Sequence, residues 1–420
     1  MDNNQNASLE KNFPVNYRMD VVSKIFDSVQ KGESFSFIGM EDNCKINVLR
    51  FLSHRPDVQK KYLGKNFNKY LFVIVDLNEL MEVSVTGFYH LIGLSFTETL
   101  KKEKINFNFL NNIFVDSPVI LLKSLKEDLK KIIEKTGKSV VILFNEFDVA
   151  SRRFDLDLLS RNLVALRNTS RFRVIYGFTG LRPFSPAYSF YRKMIWMTPF
   201  TGSDSVGVVK RNMIRYGIEL NLIQLKNIIE MSGGHAGLIK FIIQNLTNYG
   251  PSQIENKLHN IQTNCDIHLQ CERILFPLTE IEKSKLKNRE SDALLINEGL
   301  LRKYGNKLKI FSPILENYLK KNKECLAPFV IDKENDEIYY FGKPLTKNLS
   351  PKETDFLRLL IGSPTKIFKR EEIMEKVWGE EEFPSDWAFD KLVSRLRKKL
   401  TNSSKGNYIN TRKGVGISLT

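Results

Sequence analysis

Over the first two hundred positions, short apolar runs alternate with longer segments in which apolar residues recur every three or four positions. Residues 35–38, 70–75, 140–144 and 173–178 are stretches of β-branched and aromatic residues, the pattern of strands buried on both faces. Residues 46–54, 88–100, 122–136 and 156–168 carry the helical period instead. Strands and helices in alternation predict a parallel sheet with helices on both faces.

Beyond residue 201 the strand-like runs stop. Residues 205–216, 221–231 and 238–249 each place apolar side chains at helical spacing. Residues 279–286 and 291–301 read as two more helices, a hairpin turns at Gly305-Asn306, and a helix starts at Pro313. Helices followed by a hairpin describe a small winged-helix unit. The division that follows is a disordered lead over 1–12, an α/β domain over 13–200, a helical lid over 201–262, a winged-helix-like unit over 263–323 and a last domain over 324–420. The polar stretch 320–324 is the linker into that last domain.

The last domain has the clearest pattern. Residues 329–332, 337–341 and 345–349 form a small antiparallel meander. A helix then starts at Ser350-Pro351-Lys352-Glu353, where Ser350 is the N-cap, Pro351 fills the first helical position and Glu353 completes a capping box. Phe356, Leu357, Leu359 and Leu360 give it a core face. A second helix covers 370–378. In a third, 385–400, Phe389, Leu392, Val393, Leu396 and Leu400 share one face, while Trp387, Lys391, Ser394, Arg395 and Lys398 share the other. A cationic stripe with hydrogen-bonding side chains, backed by an apolar face, suits a helix laid in the major groove of duplex DNA. From Lys391 to the end there is no Asp or Glu. Residues 408–417 read as a hairpin with a basic tip, which places Arg412 and Lys413 against phosphates or in a minor groove. The plainer reading of the third helix is an ordinary amphipathic surface helix.

Charge points the same way. The chain of 420 residues carries a formal net charge of +16, which favours a polyanionic partner, although a basic balance by itself is equally the mark of a Lys-rich proteome. Cys44, Cys265, Cys271 and Cys325 are scattered, with no CxxC pair and no Cys/His cluster, so no metal site and no disulfide framework is expected. The first twelve residues have no apolar signal core, and the longest apolar runs are too short to span a bilayer. These features predict a cytoplasmic protein without a membrane partner. The five histidines are dispersed, and no catalytic constellation is read from spacing.

The runs LSPKETDFLRLL, REEIMEKVWG, FDKLVSRLRKKL and NYINTRKGVGISL resemble, in order and spacing, the winged helix-turn-helix output domain of OmpR/PhoB-type response regulators, over roughly the last ninety residues. The resemblance implies a recognition helix at 385–400, a wing at about 410–416, and a loop at 379–384 that touches RNA polymerase in some members. Glu380, Glu381 and Glu382 make that loop acidic, as fits a loop facing away from DNA. Leu392 departs from the family, which often has a polar residue there, and Ile417-Ser418 replaces a usual aromatic. Both departures bear on base preference more than on fold.

No receiver domain precedes this segment. Instead FPVNYRMDVVSKIFDSVQKGESFSFIGMEDNCKINVLRFL, VVILFNEFD, RVIYGFTG and MSGGHAGLIKFI resemble a P-loop ATPase of the AAA+/STAND kind, close to the origin-recognition-like group, over about 12–249. The fold class implied is an α/β P-loop parallel sheet with a helical lid, then a small winged-helix unit, then the C-terminal winged helix-turn-helix domain. Each motif is degenerate. In GMEDNCKI, Gly39 and Lys45 stand where a phosphate-binding loop needs them, but Cys44 replaces the second glycine and Ile46 replaces the hydroxyl that holds Mg²⁺. Asn145 stands where an aspartate supports the metal, while Glu146 remains at the water-activating position.

Little or no ATPase activity is therefore expected. Gly39, Lys45, Glu146 and His235 are the candidate nucleotide-binding residues, for ATP or ADP held without catalytic Mg²⁺. The plainer reading makes Lys45 a solvated lysine on a remnant loop and gives His235 and Glu146 structural roles. Two functions stay open. One is a DNA-binding transcriptional regulator whose AAA+/STAND-like module senses a ligand or assembles subunits into a homo-oligomer. The other is a nucleotide-switched ATPase targeted to DNA.

Overall fold

The computed structural model describes residues 9–80, 84–107, 109, 117–184, 187–247, 249–261, 265–320, 329–332, 337–340, 343–363, 366–379, 385–401, 408–412 and 416–419. It divides into two compact units, Met1–Lys320 and Lys321–Thr420.

The first unit is built on five parallel strands, β1 (Phe35–Gly39), β2 (Tyr70–Asp76), β3 (Ser139–Asn145), β4 (Val174–Gly180) and β5 (Met194–Met197), in the order β2-β3-β4-β1-β5. The three central strands are buried along their whole length apart from Ser139, as their continuous apolar runs require. Alternate residues feed two cores. Phe35, Phe37, Val141, Leu143 and Ile175 pack with the helices Met19–Gln30 and Lys45–His54. Val73, Val75, Ile142, Phe144, Tyr176 and Phe178 pack with Val85–Lys102, Pro118–Thr136 and Leu156–Thr169 on the other face. Gly177 lies where a Cβ would sit 2.6 Å from the Phe35 ring, so only glycine lets β4 and β1 pair there.

Helices Gly202–Tyr216, Leu222–Ser232 and Ala236–Leu246 follow, the second begun by an Asn221–Gln224 capping box. Next come Pro251–Asn260, Cys265–Leu275 and Glu280–Asn288, the last with a Thr279–Glu282 capping box. The hairpin of β6 (Leu301–Tyr304) and β7 (Lys307–Ile310) turns where Gly305-Asn306 predicts, before helix Pro313–Lys320.

Three expectations are corrected. Residues 291–301 do not make one helix. Only Ala293–Asn297 is helical, because Gly299 (φ 79°) reverses the chain against Thr198 and Pro199 and Leu301 already belongs to β6. In the second unit the third strand is not 345–349. β8 (Phe329–Asp332) and β9 (Glu337–Tyr340) pair with the two-residue β10 (Lys343–Pro344), and Thr346–Asn348 turns into a 3₁₀ helix. Pro344 has no N–H to extend the ladder, and the Thr346 hydroxyl instead accepts from the Ile338 N–H at 2.9 Å. Leu9–Asn12, read as part of a disordered lead, forms a 3₁₀ turn with Glu10 buried.

The rest of the second unit is helix Pro351–Gly362 with its Ser350–Glu353 capping box, helix Arg370–Trp378, helix Asp386–Thr401, and the hairpin of β11 (Ile409–Arg412) and β12 (Gly416–Leu419). Phe329, Phe356, Leu360, Ile373, Leu396 and Ile409 meet in a core of its own.

Candidate DNA interface and phosphate-loop cleft

In the second unit, the third helix separates its faces as the period predicts. Phe389, Leu392, Val393, Leu396 and Leu400 are buried, and Trp387, Lys391, Ser394, Arg395 and Lys398 are exposed. Leu392, out of place as a base-reading residue, belongs to the core. Lys391, Arg395 and Lys398 enter no ion pair among the described residues, so their charge is free for a ligand. The Lys391 ammonium lies 4.0 Å from the centre of the Trp387 ring, which is 68% exposed, so the two form one amphipathic tip.

The other basic side chains of this helix hold the domain together. Arg397 donates from Nε and Nη2 to the Ile409 carbonyl (3.0 and 2.8 Å) and from Nη2 to the Thr411 hydroxyl, fixing strand β11 against the helix. Lys399 donates to Glu353 of the capping box at 2.5 Å. Burial alone would raise the Glu353 carboxyl, but the bonds from Lys399 and Ser350 hold it below its ordinary range. Arg370 bridges Asp386 and Asp390, each at 3.1 Å, and stacks on Phe389. These braces were invisible in the sequence, because spacing shows a face but not which cations are already spent. The Arg412 side chain, Lys413 and loop residues 380–384 lie outside the described residues.

In the first unit, Gly39, Lys45 and Glu146 gather at the C-terminal ends of β1 and β3. A Cβ on Gly39 would meet the Met197 side chain and carbonyl at 2.9 Å, so the packing of β5 against β1 already demands this glycine. Lys45 is not the solvated lysine expected. It is 4% exposed, and its Nζ donates to the carbonyls of Gly39 (3.1 Å) and Met40 (3.2 Å), folding the loop around itself. Cys44, in place of glycine, holds a left-handed φ of 63°.

His235 takes the structural role of the plainer reading and not a place at phosphate. Its ring is fully buried, Nδ1 caps the helix Ala236–Leu246 by accepting from the Leu238 N–H, and Nε2 meets the Glu41 carbonyl at 2.8 Å. With those partners Nε2 carries the proton and the ring is neutral. Burial pushes its pKa down to about 4.

The metal-supporting position is occupied by an amide network. Asn145 donates to Asp76 at 3.0 Å and accepts from Thr179 at 3.3 Å, and Thr179 in turn accepts from the Glu146 N–H at 2.8 Å. Glu146 is half-buried with φ 54°, and burial raises its carboxyl above the ordinary range against the pull of Lys45. Lys45 and Glu146 line one cavity of about 910 Å³, together with Phe13, Tyr17 and Arg211. Its loop carries two carboxylates that no sequence motif marks. Glu41 and Asp42 are paired at 3.3 and 3.0 Å with Arg273 of helix Cys265–Leu275.

Residues 343–419 match the family described as transcriptional regulatory protein, C terminal. The transcriptional regulatory protein YclJ of Bacillus subtilis (strain 168) is 39% identical over 93 residues, 22% of this chain and 39% of that protein. The phosphate regulon transcriptional regulatory protein PhoB of Rhizobium meliloti is 32% identical over 89 residues, 21% and 38% of the two chains. This chain thus spans about two fifths of the length of these relatives. Among solved structures, the DNA-binding domain of Bacillus subtilis CssR is 32% identical over 22% of this chain and 99% of its own (TM-score 0.19). The Walker-type ATPase of Pyrococcus abyssi covers 75% of this chain and 100% of its own at 16% identity (TM-score 0.46). The C-terminal segment is an OmpR/PhoB-type winged helix. Among the described residues no helix is long and apolar enough to cross a membrane.

Proposed function

We propose that the chain is a transcription regulator that binds double-stranded DNA through residues 324–420 and acts in the cytoplasm. The observation that carries this reading is the exposed stripe Trp387, Lys391, Ser394, Arg395 and Lys398, free of ion pairs and backed by a buried apolar face. The stripe would lie in the major groove, with Arg412 and Lys413 of the wing on the backbone. The loop 379–384 is the surface offered to RNA polymerase. The α/β domain (13–200), lid (201–262) and winged-helix-like unit (263–323) would sense a ligand or assemble copies of the chain, holding ATP or ADP without turning it over. Cys44, Ile46 and the Asn145–Asp76 contact support the absence of turnover. The competing reading, a nucleotide-switched ATPase targeted to DNA, is favoured by Lys45 and Glu146 facing one cavity.

The test is binding of the full-length protein to duplexes selected from a random pool. Arg395→Ala and Lys398→Ala are expected to lose specific affinity, about tenfold for one good base or phosphate contact. Unchanged affinity in both would remove this helix as the reader of DNA. Phosphate release from Mg²⁺-ATP, stimulated by DNA, would favour the competing reading.

A further inference from the structure

β2 is an open edge of the parallel sheet. Among the described residues it pairs with β3 alone. Along a parallel pair, residues alternate in the side to which they turn N–H and C=O, so every second residue of β2 points these groups away from β3. A cavity of about 590 Å³ runs beside this edge, lined by Tyr70, Phe72, Ile74 and Asp76 of the strand. Its walls come from both faces of the sheet. Arg50 and Ser53 of helix Lys45–His54 stand on one side, and Ser95 and Thr99 of helix Val85–Lys102 on the other. The edge therefore lies at the bottom of a slot between two helices.

The slot has two unlike ends. At the C-terminal end of β2, Asp76 and Glu79 are joined by Glu98, with Arg50 as the cation among them. Partial burial and the carboxylates of Asp76 and Glu98 raise the Glu79 carboxyl above its ordinary range, against the pull of Arg50. The other end is marked by Lys138, which precedes the residue paired with Tyr70. Helix Val85–Lys102 ends on that side too, where the Asn106 carbonyl accepts from Lys135, so Lys102 and Glu103 join Lys138. Glu79, Glu98, Lys102 and Lys138 enter no ion pair among the described residues.

An occupant that satisfies this slot offers backbone donors and acceptors along an extended line, a cation at one end and an anion at the other. A second copy of β2 would be recessed between its own two helices, and those would collide before the strands met. A nucleic-acid strand would carry phosphates onto three carboxylates. We propose that the β2 edge receives an extended peptide segment of a partner protein as an added strand, with a basic side chain beside Asp76, Glu79 and Glu98 and an acidic one beside Lys102 and Lys138. Main-chain bonds give such a strand its affinity, and the charged ends fix its register. The inference is independent of the DNA-binding reading of residues 324–420 and adds a protein partner to it.

The probe is an end-blocked, fluorescein-labelled peptide as long as β2, Lys-Thr-Val-Thr-Val-Thr-Glu, titrated into the full-length protein by fluorescence polarisation. It is expected to bind with a Kd of about 100 μM or tighter. One further peptide is N-methylated on its odd amides and another on its even amides. Because an edge strand bonds only every second residue of its neighbour, one of the two is expected to lose at least about tenfold in affinity and the other to keep it. Glu79→Lys, an exposed change, is expected to weaken the parent peptide at least about fivefold at an unchanged melting temperature. No binding of the parent peptide by folded protein overturns the proposal. So does equal binding of the two methylated peptides, or binding indifferent to Glu79→Lys. Self-association of the free protein that Glu79→Lys abolishes would give the edge to a second copy and also overturn it.

Discussion

Arg397 of the third helix donates two hydrogen bonds to the carbonyl of Ile409, the first residue of the wing strand. A basic residue that counts toward the cationic sequence pattern is thus a brace that ties strand β11 to the helix. Replacing Arg397 with Met is expected to cost about 1.5–3 kcal/mol of stability, the range for hydrogen bonds from a charged group, and to weaken DNA binding by displacing the wing. Arg395→Ala is expected instead to leave stability unchanged and to reduce the slope of log affinity against log salt by about one contact. Denaturant unfolding and salt titrations of both variants check this. Equal loss of salt slope in the two would make Arg397 a phosphate ligand.

Arg370 gives a second prediction. Its guanidinium neutralises Asp386 and Asp390, two carboxylates in the first turns of the helix proposed to read DNA. Arg370→Gln would leave both carboxylates to repel phosphate. Affinity is expected to fall several-fold, and adding Asp386→Asn and Asp390→Asn is expected to restore most of it. If the added changes restore nothing, Arg370 contacts DNA itself.

How much of this was legible in the sequence depends on the kind of partner each residue has. The four long strands, the Ser350–Glu353 capping box and the two-faced third helix are written in side-chain periodicity, and they stand where the pattern puts them. β5 is not legible because it is a four-residue edge strand with Met194 exposed, so it shows neither a long apolar run nor a clean alternation. The partners of Lys45, His235 and Arg397 are not legible in the sequence for a common reason. Each is satisfied by backbone carbonyls, two of them distant along the chain or set by a turn, and a carbonyl leaves no mark on the sequence. Gly39 fits the spacing of a phosphate loop, yet Met197 of β5 already requires glycine at that place.

Two buried groups set opposite pH limits on the first unit. His235 has its pKa lowered to about 4 by burial, so unfolding at mildly acid pH takes up a proton. Its contribution is full above the unfolded value near 6.5 and is lost as pH falls toward 4, about 3 kcal/mol in all. Glu298 is 3% exposed, with its pKa raised to about 8 by burial against the pull of Arg182 and Lys45. Its neutral form is favoured in the fold, so stability is lost as pH rises from about 4.5 to 8. Between about 4.5 and 6.5 the two slopes oppose each other, and above 6.5 Glu298 dominates. Glu298→Gln is therefore expected to raise the melting temperature at pH 8 and to have little effect at pH 5. An identical shift at both pH values would show that Glu298 does not titrate in this range.

Asn145→Asp tests the metal position. The new carboxylate would stand about where the Asn145 amide now donates to Asp76 at 3.0 Å, placing two acids in contact. The variant is expected to melt lower than the parent at neutral pH, to recover part of that loss when Mg²⁺ is added, and to release no phosphate from ATP, since Ile46 supplies no hydroxyl to the ion. Turnover in this single variant would mean that the loop needs only the second carboxylate.

Residues 321–420 carry their own core and contacts, with Phe329 and Tyr340 of the first hairpin stacked at 5.0 Å and Tyr408 set edge-on to both. They hold 19 Lys or Arg against 15 Asp or Glu, a net +4, so +12 of the chain's +16 lies in residues 1–320. If recognition resides in the stripe and not in the overall charge, a fragment of residues 321–420 should unfold cooperatively and keep the sequence preference of the full chain. Its affinity for random duplex should fall, because non-specific binding follows the summed positive charge. Circular dichroism melts and competition against random duplex measure both. A folded fragment that binds every duplex alike would assign specificity to the first unit and leave the third helix as a phosphate clamp.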